Sequence, residues 1–189
     1  MKKLKSIGTP AKLVLLGLWL LSIIGLAVLG IKQATQRAFE GEVVITEVLP
    51  ITAQDTLYLA MKYNPDYSSG AYKTDLKLKF DEKDNKIMYS TDVRLVVKST
   101  KDSTGRIEII KTADGSDYKD AKKRAENIRY NTSFLGNELF LDSYLTANAN
   151  DYHRDQEVRI VVYLPEGSTL YADENIASFH RSSDYYGNI

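Results

Sequence analysis

His153 and His180 are the first residues to question for catalysis, because imidazole titrates nearest to neutral pH. His180 lies close to Ser182, Ser183 and Asp184, so one short stretch holds the residue types of a Ser-His-Asp triad. A working triad draws its members from different elements around a nucleophile on a sharp turn. No G-x-S-x-G elbow is present to place one. His153 sits in a polar run, Asn150-Asp151-Tyr152-His153-Arg154-Asp155-Gln156, and reads as a solvated loop residue. Asp114-Gly115-Ser116-Asp117, followed by Asp120, is carboxylate-rich but lacks the spacing and closing Glu of a calcium loop. Its plainer reading is a turn into a helix, with Asp at the positive end of the dipole. The chain has no Cys, which excludes thiolate zinc sites, disulfides and cysteine nucleophiles. Neither type of Gly-rich phosphate loop occurs. The expectation is a protein with no catalytic residue, no metal site and no cofactor.

Charge narrows the partners. Lys+Arg and Asp+Glu number 25 each, so the chain is formally neutral and a poor match to nucleic acid. The charge is unevenly placed. Residues 1–12 hold Lys2, Lys3, Lys5 and Lys12 with no acid, which leaves the body acidic by the same amount. Residues 13–31, LVLLGLWLLSIIGLAVLGI, are uncharged. As a helix they reach about 28 Å, close to the ~30 Å hydrocarbon core of a bilayer. Lys12 and Lys32 flank this run and can snorkel to the headgroups. A cleaved signal peptide is the alternative, but its apolar region is normally shorter and ends in a small-residue site, which the following KQATQRAFEG does not offer. The basic flank predicts a cytoplasmic N-terminus, with the rest of the chain beyond the cytoplasmic membrane.

After the anchor the period changes to two. Leu57, Leu59 and Met61 alternate with more polar neighbours, as do Leu76, Leu78 and Phe80, then Val93, Leu95 and Val97, then Val158, Ile160, Val162 and Leu164. This is the pattern of strands with one face in a core. Turns at short spacing, such as Leu135-Gly136-Asn137 and Pro165-Glu166-Gly167, predict antiparallel hairpins in a sandwich or rolled sheet. Val161 and Tyr163 make residues 158–164 apolar on both faces, so this strand is expected to be central and covered on both sides. Residues 116–129 differ: Tyr118, Ala121, Ala125 and Ile128 recur at helical spacing after a cap at Ser116 or Asp117. The fold class is mainly β with a single N-terminal transmembrane helix and one amphipathic helix over about 116–129, whose narrow Ala face allows it to lie on the sheet. The expected organisation is a basic cytoplasmic tail over 1–12, the membrane helix over 13–31, a stalk over 32–41, an extracytoplasmic β domain over 42–176 and a polar tail over 177–189.

Three stretches carry a resemblance: DAKKRAENIRYN at 120–131, GNELFLDSYL at 136–145 and DQEVRIVVYLPEGSTLYADENI at 155–176. Their order, with N-I-x-Y-N, L-x-L-D-x-Y and Y-L-P-E-G-x-x-L-Y-A-D-E-N, resembles the extracytoplasmic region that follows the last membrane helix of Bacteroidetes-type phage-shock-protein-C (PspC) domain proteins. Such proteins begin with the PspC domain and further membrane segments, which these residues lack, and continue past the position of Ile189. The chain therefore reads as a piece of a longer protein or a stand-alone remnant. The resemblance implies an envelope protein linked to envelope stress, with the lipid bilayer and other envelope or membrane proteins as partners, and supplies no catalytic residues. The leading expectation is a non-enzymatic β domain that binds or senses something outside the cytoplasm. The thirteen Tyr are compatible with a binding surface. The alternatives are an envelope enzyme acting on glycan through paired carboxylates, and a structural or adhesive module.

Overall fold

The uncharged run forms the centre of one helix, α1 (Thr9–Thr35), which continues past Lys12 and Lys32. Pro10 falls in its first turn, where a missing N–H costs little. Lys32 lies in the last turn, at the negative end of the dipole. None of α1 is buried by the protein, although its 27 residues are apolar on nearly every side. A helix of this length and character is satisfied only in lipid, where every backbone group bonds within the helix.

The computed structural model describes residues 8–35, 37–67, 77–80, 84, 86–151 and 155–179. Lys2, Lys3, Lys5, the strand position Leu76, His153, His180, Ser182, Ser183, Asp184 and the tail beyond 179 lie outside these. Past α1 come β1 (Phe39–Leu49), β2 (Thr56–Lys62), β3 (Lys77–Phe80), β4 (Lys86–Ser90), β5 (Val93–Thr100), β6 (Gly105–Gly115), α2 (Tyr118–Asn127), β7 (Thr132–Leu135), β8 (Glu138–Asp142), β9 (Leu145–Asn148), β10 (Glu157–Pro165) and β11 (Thr169–Ala172). The stalk expected over 32–41 is largely taken up by its neighbours: its start belongs to α1 and its end to β1.

The strands form three sheets, ordered β1-β6-β10-β5, β11-β2-β8-β7 and β3-β4-β9. The mainly β reading holds, but the sheets are mixed rather than purely antiparallel. β5 runs parallel to β10, and β2 runs parallel to both β8 and β11. Alternation in sequence records that one face is buried; it carries no information about strand direction. Both four-stranded sheets feed one core, with Leu95, Ile107, Ile109 and Ile160 from the first and Leu57, Leu59, Leu139 and Leu141 from the second. Ile160 is fully buried and stands in register between Ile109 of β6 and Leu95 of β5.

β10 is an interior strand, and Val158, Ile160, Val161, Val162 and Leu164 are all buried. Its outer face is not covered by α2, which packs on β1 and β6. The outer face is covered by long side chains of its own sheet. The Arg106 guanidinium lies 3.8 Å from the Tyr163 ring centre. The Tyr163 hydroxyl donates to Glu108 Oε2 at 3.2 Å. The strand runs one residue past Leu164 to Pro165, and Gly167 then turns the chain with a left-handed φ of 95°.

Helix α2 is shorter than the expected 116–129. Asp117 caps it, accepting the Asp120 N–H at 2.9 Å. The Asp120 carboxylate reaches back to the Ser116 N–H at 3.0 Å and also receives Arg124 Nε at 3.0 Å. Ala121 and Ala125 are fully buried against the sheet. Opposite them lie Gly41 and Gly115, where any Cβ would strike the backbone of Lys122 or Ala121. Small residues on both sides bring helix and sheet into backbone contact.

Candidate functional site

Residues leaving α2 adopt an extended, alternating course. In Asn127-Ile128-Arg129-Tyr130-Asn131, Ile128 enters the core, while Asn127, Arg129 and Asn131 border an outer cleft. Tyr130 is half-buried with its hydroxyl enclosed, donating to the Asp142 carbonyl at 2.7 Å. Burial holds that hydroxyl well above its ordinary pKa. Arg129 forms a two-way backbone bridge with Thr146 at 2.7 and 3.0 Å, which pins this segment to β9. The turn from β8 to β9 alternates in the same way: Asp142 and Tyr144 line the cleft, and Ser143 between them is fully buried.

The cleft holds about 800 Å³. Lys86 and Ile87 of β4, Glu126 at the end of α2, Thr146 of β9 and Tyr67 complete much of its wall. Tyr67 stacks on Tyr144 with ring centres 4.7 Å apart and planes 21° apart. Tyr89 meets Tyr67 edge-on at 5.4 Å. Lys79 Nζ lies 5.1 Å from the Tyr67 ring centre and pairs with Asp66 at 2.8 Å. Asn64 braces the group, accepting the Asp66 N–H at 2.9 Å and bonding the Tyr144 side chain.

Burial raises the Asp142 carboxyl above its ordinary pKa, partly offset by Asn131, whose Nδ2 donates to Asp142 Oδ2 at 3.0 Å, and by nearby Lys62. Burial also raises Tyr144. The cleft is thus lined by a stacked phenol pair, side-chain amides that both donate and accept, and a balance of Lys86 and Arg129 against Glu126 and Asp142. This lining suits a polar, weakly charged ligand with flat faces better than a polyanion. No group of His, Cys, Asp and Glu able to hold a metal occurs among the described residues.

The residues singled out from sequence lie elsewhere. Asp117 and Asp120 build the α2 cap, and Asp114 belongs to β6. Lys12 and Lys32 are exposed near the two ends of α1. The cleft residues were not foreseen, yet the signal was present. N-I-x-Y-N and L-x-L-D-x-Y read as structural motifs, and their core positions are; their intervening positions supply Asn127, Arg129, Asn131, Asp142 and Tyr144.

Comparison with known families gives two matches. Residues 79–189 match the family described as the toast-rack found in some PspC proteins, and residues 1–37 match the PspC transmembrane region. No curated protein and no solved structure matches significantly.

Proposed function

This chain belongs to the toast-rack family found in some PspC proteins, and from that premise we propose a membrane-anchored recognition module whose β domain binds a polar polymer of glycan type in the Tyr67–Tyr144 cleft without cleaving it. The observation that carries this reading is the Tyr67–Tyr144 stack in the wall of an amide-lined cleft. Sugar rings offer apolar C–H faces to aromatic rings and hydroxyls to amides and carboxylates. Tyr67 lies in the turn after β2 and Tyr144 in the turn between β8 and β9, and Asn64 braces the pair. The basic residues 1–12 favour an N-terminus in the cytoplasm and a β domain on the far side of the cytoplasmic membrane. There it would meet cell-wall glycan and other envelope proteins, in keeping with a part in sensing envelope stress.

The test is co-sedimentation of the full chain, held in nanodiscs, with purified cell-wall glycan. Wild-type protein should sediment, and Tyr67→Ala should lose most of the binding, since a stacking ring contributes about 1 kcal/mol or more. Equal sedimentation of the two would refute the site. A second reading has one observation in its favour. Glu126 and Asp142 line the same cleft, and the raised pKa of Asp142 is what a general acid needs. Release of new reducing ends from the glycan, abolished by Asp142→Asn, would establish a glycan-cleaving enzyme instead.

A further inference from the structure

The contact between α2 and β1 sets a basic surface a short way along the chain from the end of α1. Helix α1 ends at Thr35, and Gly41 of β1 lies directly beneath the backbone of Lys122. At no more than ~3.5 Å per residue, the connecting chain holds Gly41 within about 20 Å of the end of α1. The last turn of α1, beyond Ile31, holds Lys32, whose side chain can reach the headgroups. Through its contact with Gly41, helix α2 is held within reach of the end of α1.

Its outward surface fits that position. Ala121 and Ala125 face the sheet, while Lys119, Lys122 and Lys123 are exposed. No ion pair or hydrogen bond occupies these three side chains among the described residues. The remaining basic residue of the helix, Arg124, is held by Asp120 and Asp151. Nearby acids are mostly diverted. Asp117 and Asp120 serve the cap, and Glu40, Glu42 and Asp114 alternate to the sheet face opposite Gly41 and Gly115. Glu126 is the acid left exposed beside the lysines. Two aromatic rings sit at the same end, Tyr118 at 60% and Phe39 at 50% exposure, with Phe39 paired to Gly115. Lysines beside an amphipathic Tyr and an apolar Phe are a composition that settles at a lipid headgroup layer.

We propose that the Lys119, Lys122 and Lys123 face of α2, with Tyr118 and Phe39, rests on anionic headgroups of the bilayer that α1 spans. The contact fixes the tilt of the β domain over the membrane, so that the domain stands against the lipid instead of swinging on its connection.

Lysine acetylation kinetics, read residue by residue by mass spectrometry on the full chain in vesicles, test this. In phosphatidylcholine vesicles with about one-third phosphatidylglycerol, Lys119, Lys122 and Lys123 should react at least roughly fivefold more slowly than in phosphatidylcholine alone, the ratio expected for about 1 kcal/mol per headgroup-bound lysine. About 1 M salt, where the Debye length is ~3 Å, should restore the rates. Lys101, at the opposite end of β6, should react equally in both membranes. All three side chains are exposed, so a Lys119→Gln, Lys123→Gln double variant should fold, and it should weaken the protection of the remaining Lys122. Equal rates in the two membranes, equal protection at Lys101, or protection of Lys122 unchanged in the double variant would each overturn the proposal.

Discussion

Replacing Ile160 with Ala removes three carbons from the point where both sheets meet. The side chain is fully buried between Ile109 and Leu95. At about 0.8 kcal/mol per buried carbon, the transfer loss is about 2.4 kcal/mol. β10 is an interior strand paired on both sides, so the site cannot collapse freely and the residual cavity should bring the cost to roughly 4 kcal/mol. That is a large share of the ~5–15 kcal/mol that holds an ordinary domain together. The internal control is Arg159→Ala, one residue away and itself exposed, which should cost under about 1 kcal/mol. Urea unfolding of a soluble piece beginning at residue 38, followed by far-ultraviolet circular dichroism, should give a lower midpoint for Ile160→Ala at unchanged slope. Similar small effects for both substitutions would mean that β10 is not the central strand of a shared core.

Three further expectations concern other parts of the molecule. Gly115→Ala should destabilise by about 1–3 kcal/mol through overpacking and should speed amide exchange in α2 before the rest of the domain, because the new methyl meets the Ala121 backbone; uniform exchange across α2 and the sheets would contradict the close contact. Asp142 has a raised pKa in the fold, so the folded state binds its proton more readily than the unfolded chain and this residue's effect on stability worsens as pH rises through the folded pKa. Asp142→Asn should therefore be more stable than wild type at neutral pH, with the gain shrinking as pH falls toward the unfolded carboxyl value near ~4; a gain that grows on acidification would reverse the sign. A reporter active only outside the cytoplasm, fused after residue 38, should give signal, and replacing Lys2, Lys3 and Lys5 with Glu should weaken it; an inactive reporter would refute the orientation.

Much of the architecture could be read from residue order, because the relevant forces are local. A charge-free run between lysines specifies α1, and Asp117 followed by Ala121 and Ala125 specifies a capped helix with a narrow apolar stripe. What could not be read is pairing at long range. Leu57 stands in register with Leu170, and Val93 with Val158, contacts that depend on how distant strands settle over one core. The seat of α2 was hidden for the same reason. Gly41 and Gly115 become meaningful only once β1 and β6 are aligned and both glycines lie under one helix. The cleft was hidden by a different cause: Asn127, Arg129 and Asn131 look like the ordinary solvent face of an alternating segment until Asp142 and Tyr144 are brought opposite them.

The attachment of the membrane helix to an edge strand determines how the domain carries load. Any pull between the β domain and the bilayer enters through the start of β1, whose eleven residue pairs with β6 run from Phe39–Gly115 to Leu49–Gly105. Tension along the strand is shared by all of these rungs in shear, whereas tension across it would open them one at a time from Phe39. Helix α2 lies over that vulnerable first end, with its backbone against Gly41 and Gly115. It acts as a clasp: α2 bridges both strands at that end, so peeling the edge from Phe39 also means parting α2 from Gly41 and Gly115.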